Sequence, residues 1–153
     1  MNKLGSIKSS ELREEIFVGE HDSGLKVYVL PKPGYTKKYA TFAIHYGSVD
    51  SKFILEGKEE LVTVPDGIAH FLEHKLFAQE DGDVMDKFST LGAYPNAYTG
   101  FKQTVYLFSC TDNFFKSFQL LLDFVQKPYI TDESVEKEKG IIGQEIRMYE
   151  DNP

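Results

Sequence analysis

The chain has 153 residues, 41% apolar and 14% aromatic, with 17 Lys+Arg against 24 Asp+Glu for a net charge of −7. That apolar share excludes a disordered chain, and the acidic balance excludes a dedicated nucleic-acid binder, which needs a basic surface to displace counterions from phosphate. The single cysteine, Cys110, excludes a disulfide scaffold, and no apolar run reaches the roughly 18 residues that would suggest a membrane span. With no apolar leader after Met1, these features predict one soluble, cytoplasmic domain with neither nucleic-acid nor membrane partners.

In chain order, residues 1–10 read as a loose lead-in. Ile16–Val18 and Leu25–Leu30 predict two strands joined by the turn Asp22-Ser23-Gly24, with Pro31-Lys32-Pro33-Gly34 ending the second. Over 39–46, alternation puts Ala40, Phe42, Ile44 and Tyr46 on one face of a third strand. Residues 51–64 show no clear pattern beyond an exposed loop at Gly57-Lys58-Glu59-Glu60. A helix starts near Pro65-Asp66, where a cap is expected, and runs to about Phe77. Asp81-Gly82-Asp83 reads as a turn and cap for a second helix, which carries Val84, Phe88 and Leu91 on one face and ends at Gly92.

An extended stretch follows, in which Thr104–Phe108 is the clear strand. The third helix covers 113–126, with Phe114, Phe118, Leu121, Leu122 and Val125 as its buried stripe, and Pro128 stops it. The fourth follows Thr131, with Asp132 and Glu133 in its first turn, where they suit the helix dipole. Strands grouped ahead of helices predict an α+β fold with an antiparallel sheet instead of a doubly wound parallel one.

Chemistry concentrates in the run from Gly67 to Phe77, which holds His70-Phe71-Leu72-Glu73-His74. At about 100° per residue, His74 lies roughly 40° from His70 and Glu73 roughly 60° to the other side, so all three share one face of one turn. Two imidazoles one turn apart can reach a single tetrahedral zinc, and the neighbouring carboxylate can reach a water beside it. The order His-x-x-Glu-His inverts the better-known His-Glu-x-x-His pattern. Paired histidines do occur by chance on exposed helices. Here they sit with a carboxylate at the right offset on an otherwise apolar helix, where three ionisable groups need partners.

A catalytic zinc needs a further donor. On the fourth helix Glu138 and Glu145 stand seven residues apart, nearly on one face, with Ile141, Ile142, Met148 and Tyr149 along or beside it. A carboxylate in an apolar stripe is costly unless paired or metal-bound, which makes Glu145 a candidate ligand, whereas Glu136, Lys137 and Lys139 fit a solvated face.

Three motifs in order, His70-Phe71-Leu72-Glu73-His74, Asn96-Ala97-Tyr98-Thr99 and the run from Val135 to Glu145, closely resemble the insulinase/pitrilysin family of inverted zinc peptidases. The resemblance runs from about Gly24 to the end and is closest to bacterial, Gram-positive-type members. It implies an α+β unit with a largely antiparallel sheet and helices packed on one face. It makes His70, His74 and Glu145 zinc ligands, Glu73 the general base, and Glu138 an outer-sphere carboxylate. It also places Asn96 and Ala97 on an edge strand that binds peptide substrate by strand addition. The implied activity is zinc-dependent endopeptidase hydrolysis of peptides or unfolded segments, and Zn2+ is the implied cofactor.

Two departures stand out. Lys102 occupies a position where the family commonly carries an acid, which bears on substrate contacts. The family also builds its chamber from two or more homologous units, so residues 1–153 are expected to be the N-terminal catalytic part of a longer chain, with a second domain or subunit as partner. Glu150 and Asp151, unfavourable at a helix C-terminus, suit that expectation. Two alternatives are a non-hydrolytic binding or assembly subunit that retains fold and metal, and a structural zinc site. Only three ligands, with a carboxylate placed for base chemistry, weigh against the second.

Overall fold

A computed structural model describes residues 2–151. They divide into two compact units between Thr36 and Lys37.

The first unit is an antiparallel sheet of β1 (Asn2–Ser9), β2 (Glu14–Glu20) and β3 (Lys26–Val29), in that order. The lead-in is therefore a strand: residues 5–9 pair in register with residues 14–18, and local alternation gave no sign of it because pairing with β2 holds it. The predicted turn between β2 and β3 is present, with Gly24 at φ 83° and the His21 amide bonded to the Leu25 carbonyl at 2.8 Å. Among the described residues of this unit only Gly19 is buried, and β3 is exposed along its length.

The second unit holds the hydrophobic core. Its main sheet has the order β4 (Lys38–Ile44), β10 (Thr104–Cys110), β9 (Ala93–Thr99), all antiparallel, so β10 is central and β9 lies at an edge. Residues 51–64 resolve into a small hairpin, β5 (Lys52–Ile54) with β6 (Leu61–Thr63). The first helix, α1, spans Ile68–Phe77, and its cap is Gly67 at φ 85°, not the expected Pro65-Asp66. A two-residue pair, β7 (Ala78–Gln79) with β8 (Gly82–Asp83), leads into α2 (Val84–Thr90), where the Asp83 carboxylate accepts the Met85 amide at 2.8 Å as predicted. The last two helices are α3 (Phe114–Gln126) and α4 (Asp132–Glu150).

Tyr106, Phe108 and Cys110 alternate onto one face of β10, and Val84, Phe88, Leu121 and Phe124 from α2 and α3 cover them. The Phe124 ring lies 5.3 Å from Phe77, 5.6 Å from Tyr106 and 6.1 Å from Phe88, so one aromatic side chain ties α1, α2 and β10 together. Each such ring contributes about 1.5–3 kcal/mol through burial. The buried stripe of α3 is rotated from the expected one: Ser117, Leu121 and Phe124 are fully buried, while Phe114, Phe118 and Val125 flank them. The sheet is thus antiparallel throughout, with α1, α2 and α3 packed on it, an α+β arrangement.

Candidate metal centre

The site forms where α1 and α4 pack against each other beside β9. α1 presents His70, Glu73 and His74 from one face, as the 100° rotation requires. α4 starts at Thr131, whose hydroxyl accepts the Ser134 amide at 3.2 Å while Ser134 Oγ accepts the Thr131 amide at 3.0 Å. Asp132 and Glu133 occupy its first turn, and the helix then carries Glu138 and Glu145 past α1.

Glu145 Oε2 lies 3.9 Å from His70 Nε2 and 3.7 Å from His74 Nε2. Ligand atoms of all three residues lie within 4.8 Å of one another. Tetrahedral zinc with ligands near 2.0–2.1 Å separates its donors by about 3.3 Å, so the two Glu145–imidazole distances are about half an ångström wide of that and the three donors would draw together around an ion. Two imidazole lone pairs and a carboxylate oxygen converging on one point repel one another unless a cation lies between them. The donor set therefore fits zinc.

Glu138 acts on the opposite side of His74. Its Oε1 accepts from His74 Nδ1 at 3.0 Å, which puts the ring proton on Nδ1 and leaves the Nε2 lone pair facing Glu145. Glu138 is 7% exposed, the only buried residue of α4. The apolar stripe expected beside it is mostly open: Ile141, Met148 and Tyr149 are exposed, so apolar burial does not hold these carboxylates in place.

Glu73 is 8% exposed, and its Oε2 accepts from the Thr99 hydroxyl at 2.5 Å. Its charge also reaches Tyr106, whose phenol is pushed far above its usual range by burial first and by Glu73 second, and so stays protonated. A cleft of about 790 Å³ runs past His70, Glu73, His74 and Glu145 and along Asn96–Thr99. Asn96 and Ala97 lie on β9, at the sheet edge, and Asn96 Oδ1 accepts the Ala97 amide at 2.9 Å.

Two residues with no role assigned from sequence also belong to this region. Lys75, 1% exposed, donates to the Tyr129 carbonyl at 2.8 Å, with its ammonium 5.9 Å from the Tyr129 ring centre. It fastens α1 to the connector that leads into α4. Thr99 is the second. Nothing in sequence marked Lys75, because a lysine in a helix is ordinarily solvated, although its neighbours Leu76 and Phe77 are apolar. Among the described residues no helix is long and apolar enough to cross a membrane.

The chain is similar to known proteins over most of its length. The chain is 56% identical over 147 residues to the uncharacterized zinc protease YmfH of Bacillus subtilis, covering 96% of this chain and 34% of that protein. It is 32% identical over 91 residues to the human mitochondrial-processing peptidase subunit beta, covering 56% of this chain and 19% of that one. An M16-like peptidase structure from Alicyclobacillus acidocaldarius superposes with a TM-score of 0.86 at 46% identity, covering 97% of this chain and 34% of that one. Pitrilysin shares the fold, with a TM-score of 0.73 at 18% identity, over 97% of this chain and 16% of its own. The chain thus spans about a third of the length of YmfH. The family model for Insulinase (Peptidase family M16) matches residues 63–153, a span that holds every candidate metal and base residue, and the chain belongs to that family.

Proposed function

We propose that this chain is the metal-bearing, N-terminal part of a zinc endopeptidase. The observation that carries the proposal is the convergence of His70 Nε2, His74 Nε2 and Glu145 Oε2 in a cleft that Glu73 also lines. These three residues would hold zinc, and the chemistry the ion supplies when bound is acidification of a water and polarisation of the scissile carbonyl. Glu138 keeps the His74 ring in the tautomer that offers Nε2. Glu73 takes the proton of the attacking water as the new C–O bond forms, then delivers it to the amine nitrogen as the C–N bond breaks.

The free edge of β9 at Asn96 and Ala97 would take an extended peptide by strand addition. Unfolded segments or short peptides are the proposed substrates, since strand addition takes a segment whose backbone hydrogen-bonding groups are not already paired. The relatives' lengths support a second homologous domain or subunit that closes the chamber. The test is hydrolysis of a quenched fluorescent peptide by the full-length protein, alongside zinc content. E73Q is expected to bind one zinc per chain and to lose turnover by at least about a hundredfold, as removal of a general base does. Zinc binding without Glu73-dependent cleavage would point instead to a binding or assembly subunit.

A further inference from the structure

Glu73 can act as a base only if its carboxylate is held towards the cleft, and its own helix does not do this. The hydrogen bond at its Oε2 comes from Thr99, at the end of β9. We propose that Thr99 is a positioning residue for Glu73, locking the carboxylate to the same strand that would carry the peptide. The proposal rests on the peptidase function given above.

The local network supports a committed donor. Thr99 has one hydroxyl proton, with the Glu73 carboxylate at 2.5 Å and Thr104 Oγ1 at 3.4 Å as its neighbours. The Thr104 proton is spent on the Tyr46 carbonyl at 2.9 Å, and that threonine is buried. The shorter, charge-assisted bond to Glu73 is the one Thr99 makes. Its donation fixes the plane of the carboxylate at Oε2 and leaves the group further lone pairs with which to take a water proton.

Thr99 is itself held rigidly. The turn after it closes through the Gly100 amide on the Gln103 carbonyl at 2.8 Å. The Ser48 and Val49 amides bond the Gly100 and Phe101 carbonyls at 3.0 and 3.1 Å. Gly47 makes that approach possible, since a Cβ there would lie 2.5 Å from the Phe101 backbone. A side chain anchored this firmly can set the angle of a neighbour's carboxylate. Asn96 and Ala97 lie on the same strand, so a peptide added to β9 and the base that serves it share one frame of reference.

The test compares wild type, E73Q, T99V and T99S as full-length, zinc-loaded protein. Valine keeps the branched shape and removes only the donor. T99V is expected to lower kcat by about 10- to 100-fold, the worth of a hydrogen bond to a charged group. KM and the zinc dissociation constant should stay within about twofold of wild type, and T99S should restore kcat to within about threefold. In crystals of T99V the Glu73 carboxylate should turn away from its wild-type orientation. Wild-type kcat in T99V, or a loss in T99V matched by weaker zinc binding or by an equal loss in T99S, overturns the proposal. Wild-type hydrolysis by E73Q would instead overturn the peptidase mechanism itself.

Discussion

α1 and α4 both supply the candidate site, yet they are built on different principles. α1 is short and apolar, wedged between β9, β10 and α4, and two of its three buried residues are charged, Glu73 and Lys75. α4 is nearly twice as long and polar, and its one buried residue is Glu138. In α1, burial comes from the core and the charged groups must find partners inside it. In α4, a cap, a dipole-matched first turn and a single carboxylate–imidazole contact do the positioning, with little apolar burial behind them. The difference teaches that the two helices should fail differently. Away from the ligands His70 and His74 and the base Glu73, changes at buried positions of α1 should cost stability, whereas changes at the inward carboxylates of α4 should cost metal.

The sharpest way to break that contrast is E145A. Removing a proposed ligand should weaken zinc binding by more than the roughly 10- to 100-fold expected of an outer partner, with little change in unfolding free energy of the zinc-free protein. Competition against a chromogenic chelator reads the first quantity and urea denaturation the second. An E145A protein that binds zinc like wild type would remove α4 from the metal centre.

K75A is the matching test on α1. It deletes a fully buried stem and leaves the Tyr129 carbonyl without its donor. A loss of about 2–4 kcal/mol is expected in urea denaturation of the zinc-free protein, from the cavity and the orphaned carbonyl together. E138Q comes next. Glutamine keeps the size and an acceptor for His74 Nδ1 but loses the charge, so zinc affinity should fall by about 10- to 100-fold while stability stays near wild type. Should E138Q unfold the protein more than K75A does, the division of labour between the helices would be wrong.

The same contrast explains what could be read from sequence. His70, Glu73 and His74 were legible because one helical turn brings them together whatever surrounds it. Glu138 and Glu145 were legible as a pair through their seven-residue spacing, although the apolar stripe expected around them is exposed. Thr99 was quoted within a motif but given no role, because its bond to Glu73 spans 26 positions and appears only when β9 lies beside α1. Strand β1 and the β5–β6 hairpin were missed for a related reason: their residues are short on alternation and are held by the strands they pair with. Even the start of α1 was misplaced, since Gly67 opens it through backbone conformation and not through a side-chain cap. Spacing made local chemistry readable; of the partners distant in sequence, Glu138 and Glu145 were joined to the histidines through the family resemblance, and Thr99 was not.

The smallest predicted effect is also the control that gives the others meaning. Lys139 pairs with Glu136 at 2.6 Å one turn along the exposed side of α4, with side chains 59% and 71% exposed. Lys139 is the immediate neighbour of Glu138, so a change there tests whether α4 is sensitive everywhere or only on its inward face. An exposed pair of this kind is worth at most about 0.5 kcal/mol, because water screens the charges and holding two long side chains together costs entropy. K139A should therefore leave stability within about 0.5 kcal/mol of wild type, and zinc affinity should not change. A loss of metal in K139A would mean that the helix as a whole, through its solvated face, governs where Glu138 and Glu145 sit. Unchanged binding would confine that control to the two carboxylates, one turn-set of a helix that otherwise belongs to solvent.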